Sequence, residues 1–249
     1  MFSLEGLTAI VTGSTRGIGR AIAEVLIANG ARVMISSESA EDTARVAAEF
    51  GMPGCPADVS DDAALARLVD SAMGAFGRLD VLVCNAGITG LPGPFADVRM
   101  DDFDRVMAIN LRSQVVLANL ALPRIAEDGG GAVVLMSSIA GLRGNLRINA
   151  YALAKAGVAQ LARNLAVEWG PRGVRVNAIS PGFIATELSG PLLADAAFMQ
   201  RRMAMTPLRR PGLPADVAGA ALFLASPAAA FVTGHNLVVD GGTLVTDGN

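Results

Sequence analysis

Short apolar runs alternate along the chain with segments whose apolar residues recur at helical spacing. The first run, Thr8–Thr12, ends in a glycine-rich turn, and residues 18–28 then show helical periodicity up to Gly30. The same patterns predict further strands at 32–36, 53–56, 81–85, 132–137 and 175–180, and further helices at 40–50, 61–76, 101–119 and 151–169. Because this alternation requires crossover connections, it predicts a parallel, doubly wound α/β sheet of the Rossmann type with helices on both faces.

Two segments interrupt the alternation, residues 141–149 and residues 181–210. Each follows a predicted strand at its carboxyl end, which is where open α/β sheets bind their ligands. We therefore expect the first segment to form a wall of the substrate site, and residues 183–210, approximately, to form a lid. An oligomer contact is the alternative for the second segment, because its methionines suit any irregular apolar surface.

The composition fits a single domain over residues 1–249. The chain has 249 residues, enough for a large buried core but too few for two ordinary domains with separate functions. Hydrophobic residues make up 52% of the chain and aromatic residues only 4%. The core must therefore consist mainly of aliphatic side chains, as in helices packed on a parallel sheet.

The charge pattern argues against nucleic-acid and membrane partners. The net charge is −3 and the charged residues are scattered, so the sequence contains no basic stripe and no polybasic segment. The N-terminus lacks the charged start and long apolar run of a signal peptide. Every apolar stretch long enough to span a bilayer is interrupted by Gly, Pro or charge. We expect a cytoplasmic protein.

The sequence offers no set of metal ligands. His235 is the only histidine, and Cys55 and Cys84 lack metal-ligand or redox spacing. No metal site is expected, and the two thiols are expected to be buried. A Ser-His-Asp hydrolase would have to use His235, and the chain has no G-x-S-x-G motif to supply the serine.

The glycine-rich turn after the first strand predicts a dinucleotide site. It has the pattern G-x-x-x-G-x-G and leads directly into the first helix. Glycines let the backbone approach a pyrophosphate, and the N–H groups of the helix N-terminus face the anion. A glycine-rich turn without a ligand is the alternative. The residues expected to contact the dinucleotide here are Gly13, Ser14, Thr15, Arg16, Gly17, Ile18 and Gly19.

Two further segments are expected at the same edge of the sheet. One contains Asp58 and Val59, and the other, at the end of the strand 81–85, contains Asn85, Ala86 and Gly87. A carboxylate and a turn of small residues could line an adenine and ribose pocket. Each segment could equally be a helix cap or a turn, and the residues alone leave these alternatives open.

Tyr151 and Lys155 are the only tyrosine and the only lysine, in a chain with nineteen arginines. Spaced four residues apart on a predicted helix, they share one face. A lysine ammonium can bond a ribose hydroxyl and favour a nearby phenolate, whereas a guanidinium has a different shape and reach. We expect Lys155 and the positive nicotinamide to lower the pKa of Tyr151, which makes Tyr151 a general acid or base for hydride-transfer chemistry.

Ser137 and Ser138 end the predicted strand 132–137, close in topology to the start of the Tyr151 helix. A hydroxyl there could donate a hydrogen bond to the oxyanion that develops on a substrate carbonyl. A helix cap or a turn is the alternative for either serine.

Together these residues resemble the short-chain dehydrogenase/reductase family over essentially the whole chain. The motifs that carry the resemblance are, in order, the glycine turn 12–19, Asp58, Asn85-Ala86-Gly87, Asn110, Ser138, the Y-x-x-x-K of Tyr151 and Lys155, and Pro181-Gly182 followed by Thr186. The family implies a seven-stranded, mostly parallel sheet. It also implies a homotetramer, with the helices that contain Asn110 and Tyr151 at an interface.

The resemblance also implies roles for single residues. Ser138 rather than Ser137 would polarise the substrate, because the family serine precedes the tyrosine by thirteen positions. Asn110 would hold a water that links Lys155 to solvent. Ile184 and Thr186 would contact the nicotinamide carboxamide, next to Pro181 and Gly182.

The choice between NAD and NADP departs from the family pattern. NAD-preferring relatives typically place Asp at the position of Ser37, and NADP-preferring relatives often place Arg at the position of Glu38. Arg16 could pair with a 2′-phosphate, but Glu38 would repel that phosphate or accept hydrogen bonds from a 2′-hydroxyl. We predict NAD(H), with NADP(H) as the alternative.

These observations predict an NAD(P)-dependent oxidoreductase that interconverts a small secondary alcohol and its ketone. A 3-ketoacyl-acyl-carrier-protein reductase is the first alternative, but Glu127 and Asp128 would repel an acidic carrier where such enzymes use basic residues. A dinucleotide-binding sensor without turnover is the second, although such proteins usually lose the Tyr or the Lys.

Overall fold

The computed structural model describes residues 1–246, and in them the strands pair in one parallel sheet. The strands are β1 (Thr8–Thr12), β2 (Arg32–Ser36), β3 (Val81–Cys84), β4 (Gly131–Met136), β5 (Val174–Pro181) and β6 (Asn236–Val239). Their spatial order is β2-β1-β3-β4-β5-β6, so the order reverses between β1 and β3. Doubly wound sheets bind ligands at the carboxyl ends of the strands at such a reversal.

Helices connect the strands and cover both faces of the sheet. They are α1 (Gly17–Ala28), α2 (Ala40–Phe50), α3 (Asp62–Phe76), α4 (Met100–Met107), α5 (Ser113–Glu127), α6 (Ala150–Trp169), α7 (Gly190–Leu193), α8 (Ala196–Ala204) and α9 (Pro214–Ala225). Short 3₁₀ turns span Phe95–Asp97, Ile139–Gly141, Gly170–Arg172, Glu187–Ser189 and Pro227–Ala229. The predicted doubly wound α/β fold is confirmed. The predicted domain extends to residue 249, and residues 247–249 lie outside the described part.

Alternate residues of each strand enter two separate cores, one on each face of the sheet. Helices α3, α5 and α6 pack on one face, and α1 and α9 pack on the other. Rows of residues in register across the sheet are Met34, Ile10, Leu82, Val133 and Val176 towards the first core, and Ile35, Val11, Val83 and Val134 towards the second. The strands therefore read as continuous apolar runs because both of their faces are buried.

The described residues contain six strands, whereas the family resemblance implies seven. The predicted strand at 53–56 is only an isolated bridge, in which Cys55 N–H donates to the carbonyl of Ile35 at 2.9 Å. Pro53 has no N–H group to donate to β2, and at the other end Ser37 N–H donates to Thr43 Oγ1 at 3.2 Å instead of to this segment, so the ladder stays at one bridge. The prediction of a strand there is wrong for this reason.

One long helical segment, Met100–Glu127, is interrupted by a π-helical turn at Ala108–Arg112. By length and composition it is the one helix within residues 1–246 that could cross a membrane, a test that a core helix of a soluble protein also passes. Leu117, Leu122 and Ile125 of this segment are fully or almost fully buried in the core beneath the sheet. Its apolar face is therefore used in packing against the strands.

Side-chain caps fix the first turns of several helices. Ser39 Oγ accepts the N–H of Asp42 at 3.1 Å at the start of α2. The carboxylate of Asp61 accepts the N–H of Ala63 at 2.9 Å at the start of α3, so residue 61 is the cap rather than the first helical residue. Each such cap stabilises its helix by about 1 kcal/mol.

Candidate active site

The turn between β1 and α1 has the geometry of an anion cradle. Gly13 and Gly17 have φ angles of 63° and 54°, in the region that favours glycine. A Cβ on Gly19 would overlap the carbonyl oxygen of Gly13, so α1 can approach β1 only with glycine here. The cap residue Arg16 makes no side-chain hydrogen bond to the helix, which leaves the first N–H groups of α1 available to a ligand.

The other residues of this turn differ in their surroundings. Ser14 is fully buried, and its hydroxyl accepts the N–H of Ser36 at 2.8 Å while its own N–H donates to the Ser36 carbonyl at 2.9 Å. Its side chain therefore ties the turn to β2. Thr15 is also buried, and Ile18 packs partly against the core. Arg16 is exposed.

The segment after β3 lies directly against this turn. Asn85 Nδ2 donates to the carbonyl oxygens of Thr12 at 3.0 Å and Gly13 at 3.3 Å. Thr12 Oγ1 in turn accepts the N–H groups of Asn85 and Ala86 at 3.0 and 3.1 Å. A Cβ on Gly87 would lie 2.6 Å from Asn110 Oδ1. The two glycine-containing turns predicted from the sequence therefore form one continuous surface.

The acidic segment is brought to the end of β2. Ala57 N–H donates to the carbonyl of Ser37 at 2.9 Å, which places Asp58 beside that strand. The N–H and hydroxyl of Ser60 donate to the Asp58 carboxylate at 2.9 and 2.7 Å and lower its pKa. Val59, the next residue, is half-buried against the core.

Ser37 and Glu38, the positions that separate NAD from NADP use in the family, differ in exposure. Ser37 is buried, and its hydroxyl lies 3.0 Å from Thr43 Oγ1 and donates to the Ser39 carbonyl at 3.2 Å. Glu38 is exposed and forms an ion pair with Arg16, with 3.1 Å between Oε1 and Nη2. The Ser37 side chain is therefore occupied within the protein, whereas Glu38 and Arg16 face the solvent.

Tyr151 and Lys155 lie on one face of the first turns of α6, as the spacing predicts. Asn149 caps the helix, because its side chain accepts the N–H of Ala150 at 2.6 Å. Lys155 is 2% exposed, and its ammonium donates to the carbonyl of Met136 at 2.8 Å. Its Nζ atom lies 5.5 Å from the centroid of the Tyr151 ring.

Burial shifts the pKa values of both side chains away from the charged forms. It lowers the pKa of Lys155 to about 8, and it raises the pKa of Tyr151 against the opposing effect of a hydrogen bond with Ser138. This differs from the low tyrosine pKa that the sequence predicts. The protein's own groups raise it, because desolvation of the phenol outweighs the hydrogen bond.

The structure separates the two serines at the end of β4. Ser137 is buried, and its hydroxyl donates to the carbonyl of Lys155 at 2.7 Å, which holds α6 against the sheet. Ser138 is only half-buried, and its hydroxyl accepts the N–H of Ala140 at 3.1 Å and is hydrogen-bonded to Tyr151. The hydroxyl that meets the tyrosine is therefore that of Ser138.

Asn110 lies in the π-helical turn and is completely buried. Its Nδ2 donates to the carbonyls of Ile88 at 2.9 Å and Val106 at 3.0 Å, and its Oδ1 accepts the N–H of Ile88 at 3.3 Å. The side chain thus holds the loop that follows β3. Gly87 lies between this side chain and Lys155, since a Cβ there would be 3.5 Å from Lys155 Nζ.

The segment after β5 reaches back over the start of α1. A Cβ on Gly17 would lie 3.5 Å from Thr186 Cγ2, so Thr186 faces the anion cradle. Gly182, which follows Pro181, packs so closely on Asp240 that a Cβ would come within 2.7 Å of its Cα. Ile184 is buried. Of this group, Thr186 is the side chain that the structure brings to the predicted cofactor site.

Residues 183–210 continue as α7 and α8, and several residues of this segment, including Met203 of α8, line a cavity of about 340 Å³. The ring of Phe183 packs edge-on against Phe198, with 5.4 Å between the ring centroids. The cavity is also lined by the turn after β6, including Asp240. The hydrophobic pattern alone does not predict β6 or this turn, although Asp240-Gly241-Gly242 after a short apolar run is typical of a turn.

Comparison with known proteins agrees with this geometry. A family model described as enoyl-(acyl carrier protein) reductase matches residues 13–243. The 7α-hydroxysteroid dehydrogenase of Escherichia coli strain K12 is 38% identical over 244 residues, which make up 96% of this chain and 94% of that protein. The chain belongs to the short-chain dehydrogenase/reductase family. The family prediction from the sequence motifs is confirmed.

Two solved structures of this family carry nicotinamide cofactors. A 7α-hydroxysteroid dehydrogenase complexed with NADH and 7-oxo glycochenodeoxycholic acid has a TM-score of 0.92 and 37% identity, covering 97% of this chain and 95% of its own. A gluconate 5-dehydrogenase from Burkholderia cenocepacia J2315, in complex with NADP and tartrate, has a TM-score of 0.95 and 32% identity, covering 98% of both chains. This short-chain dehydrogenase/reductase is accordingly an NAD(P)-dependent oxidoreductase that acts on CH–OH groups.

Proposed function

We propose that this enzyme interconverts a secondary alcohol and its ketone, with Tyr151 as the general acid and base. The observation that carries the proposal is that the Ser138 side chain interacts with the Tyr151 hydroxyl and lowers its pKa, with Lys155 on the same face of α6. The nicotinamide cofactor supplies the hydride in reduction and accepts it in oxidation. In reduction, Tyr151 donates its phenolic proton to the substrate oxygen while the Ser138 hydroxyl donates a hydrogen bond to the same oxygen.

Lys155 supports this step electrostatically. Its buried ammonium lies close to the Tyr151 ring and favours the phenolate that remains after proton transfer. Asn110 keeps the loop after β3 in place beside Lys155, and we propose that it also serves a water path from Lys155 to solvent. For cofactor binding, the proposed contacts are the glycine turn, Asp58 and Val59, residues 85–87, and Thr186 with the segment that precedes it.

We propose a preference for NAD(H) over NADP(H). The support is the ion pair between Arg16 and Glu38, whose side chains are 65% and 62% exposed at the end of β2. A 2′-phosphate there would meet the negative charge of Glu38 and compete with it for Arg16. A 2′-hydroxyl can instead donate to the Glu38 carboxylate.

The relatives do not indicate a single substrate, because their names refer to molecules as different as a hydroxysteroid and gluconate. The test of the proposed function is the initial rate of NADH and NADPH oxidation with a panel of aliphatic, cyclic and steroid ketones. The reverse reaction is followed with the matching alcohols. Turnover of at least one ketone–alcohol pair in both directions is expected, and turnover of thioester enoyl groups alone would contradict the proposal.

A 3-ketoacyl-acyl-carrier-protein reductase is the alternative that the carrier-protein name of the family model favours. The end of α5 works against it, because Arg124 pairs with Glu127 at 3.4 Å and Asp128 accepts the N–H of Leu79 at 2.8 Å. The basic side chain there is thus already paired with a carboxylate, and the local surface is acidic. A 3-ketoacyl thioester in the ketone panel tests this alternative directly.

We further propose that residues 183–210 act as a lid and that the enzyme is a cytoplasmic homotetramer. The lid would close over the cavity that α8 and the turn after β6 line.

The support for assembly is that α6 exposes Val167 by 81% and Leu153 by 48%. Apolar side chains on the predicted interface helix are the ones that a partner subunit would cover.

A further inference from the structure

The side chain of Arg202, in α8, is half-buried and has no partner among residues 1–246. Its Nε atom is buried, and within residues 1–246 the side chain makes no hydrogen bond and no ion pair. Its Cζ atom lies 5.8 Å from the centroid of the Phe183 ring. A buried donor of a charged group that lacks an acceptor is costly, so the site is incomplete with the protein atoms alone.

A second positive charge, that of Arg143, acts electrostatically on the first. Arg143 belongs to the loop that connects Ser138 with Tyr151, and its charge adds to burial in lowering the pKa of Arg202. The loop is held in place, because Asn145 Nδ2 donates to the carbonyls of Arg143 and Ala140, both at 2.8 Å. In the described part of the chain the Arg143 guanidinium also has no hydrogen-bond or ion-pair partner. Two like charges are thus held near each other.

One carboxylate lies in the neighbourhood, and it is already engaged. Asp240 opposes the effect of Arg143 on Arg202, but its two oxygens accept the N–H groups of Gly242 and Leu244, both at 2.8 Å. It forms no ion pair with either arginine in residues 1–246. The two positive charges therefore have one carboxylate near them, and the oxygens of that carboxylate already accept backbone N–H groups of the same turn.

The strand order places these charges at the edge of the sheet that holds Ser138 and Tyr151. Arg143, Arg202 and Asp240 belong to the segments that follow β4, β5 and β6, respectively. These three strands are adjacent, and their carboxyl ends lie at the edge of the sheet where Ser138 and Tyr151 are found. Phe183, against which Arg202 packs, lines the 340 Å³ cavity, as does Met203, the next residue of α8. Arg202 itself is not among the residues that line the cavity, but it packs on one of them and precedes another, so its charge lies close to space that a ligand can fill.

We propose that the substrate carries a carboxylate, which Arg202 binds with the support of Arg143, while Tyr151 and Ser138 act on the carbonyl elsewhere in the same molecule. The planar guanidinium offers paired N–H donors that match the two oxygens of a carboxylate. The inference rests on the proposed function of the Tyr151 site. It assigns the enzyme to the oxo acids and hydroxy acids rather than to neutral ketones.

The test compares oxo acids with their primary amides, which keep the size and remove the charge. Levulinate, 5-oxohexanoate and 6-oxoheptanoate, each with its amide, are assayed by kcat/KM in the wild type, in Arg202→Gln and in Arg202→Lys. The matched control is Arg201→Gln, the exposed neighbour on the same helix. Binding of the same compounds to the enzyme with NAD⁺, which cannot reduce them, is measured by calorimetry, so that affinity is read without turnover.

We expect the wild type to prefer at least one acid over its amide by about 10- to 100-fold, the size of a hydrogen bond to a charged group. Arg202→Gln should reduce that ratio to within about threefold, Arg202→Lys should keep part of it, and Arg201→Gln should leave it unchanged. Equal rates and affinities for acids and amides across the wild-type panel would overturn the proposal, as would a preference that survives in Arg202→Gln.

Failure of the proposed function has a different signature. Tyr151→Phe removes turnover of acids and amides alike if Tyr151 is the acid and base, whatever the role of Arg202. Turnover that persists in Tyr151→Phe contradicts the catalytic proposal, and the calorimetric preference for carboxylates still decides the role of Arg202.

Discussion

Burial of Tyr151 and Lys155 opposes the charged form of both side chains, yet the proposed chemistry needs a phenolate beside an ammonium. The pKa of Tyr151 is raised by desolvation, and that of Lys155 is lowered to about 8. The pair can reach its charged state because each charge stabilises the other. The rate of alcohol oxidation should therefore depend on both residues.

Removal of the ammonium should shift the pH dependence of oxidation. With saturating NAD⁺, kcat/KM for the alcohol should rise with pH as Tyr151 loses its proton. Lys155→Met should move that rise to higher pH by about 1 to 3 units, since an opposite charge at this distance lowers a pKa by that amount. A pH–rate profile of the variant checks this, and an unchanged midpoint would show that Lys155 does not tune the phenol.

Glu38 should decide the choice of cofactor. Glu38→Gln removes the charge that faces a 2′-phosphate and frees Arg16, so kcat/KM for NADPH relative to NADH should rise by about tenfold, or ~1.4 kcal/mol. Glu49→Gln is the matched control, because Glu49 also pairs with an arginine at the surface, the half-buried Arg20. A similar ratio in wild type, variant and control would rule out the proposed role of Glu38.

The sequence was sufficient to locate these residues but not to predict their states. The Y-x-x-x-K spacing placed Tyr151 and Lys155 on one helical face, and the structure agrees. The sequence does not show that burial raises the pKa of Tyr151 in the protein alone, and the lowered pKa expected beside a bound nicotinamide stays a prediction. The pairing of Arg16 with Glu38 depends on the ends of two strands meeting across the sheet.

At the scale of elements, the strands with two buried faces were the easiest to predict. Periodicity places β1, β3 and β4 because their residues form uninterrupted apolar runs. The four-residue strand β6 has no fully buried side chain, and the pattern does not reveal it. The strand predicted at 53–56 is wrong because Pro53 lacks an N–H group and Ser37 N–H is bonded to Thr43, which limits the segment to one bridge.

The close contact between α1 and β1 should fail with a single added methyl group. In Gly19→Ala the new Cβ meets the Gly13 carbonyl, so α1 must move away, at a cost of about 1–3 kcal/mol and with loss of cofactor affinity. Gly74→Ala in α3 is the control, since nothing lies within 4 Å of the added atom. That change should stabilise by up to ~1 kcal/mol. Urea denaturation and NADH titration measure both, and normal NADH affinity in Gly19→Ala would contradict the account.

At the scale of the whole molecule, the exposed apolar side chains of α6 predict assembly. Val167→Arg places a charge on the proposed interface and should shift the enzyme from tetramers to smaller species. Ser71→Arg puts the same charge on an exposed position of α3 as the control. Light scattering coupled to size exclusion gives the masses. A wild-type protein that is monomeric at micromolar concentration would exclude the tetramer.

The central claim is that Tyr151 transfers the proton, and one measurement tests it most directly. The single-turnover rate of NADH oxidation with a ketone substrate is compared between the wild type and Tyr151→Phe, with the Kd for NADH measured alongside. Because general acid catalysis contributes about 10²- to 10⁴-fold, the rate in the variant should fall by that factor while the Kd stays within a few-fold. A rate within a few-fold of wild type at equal NADH occupancy would contradict the account.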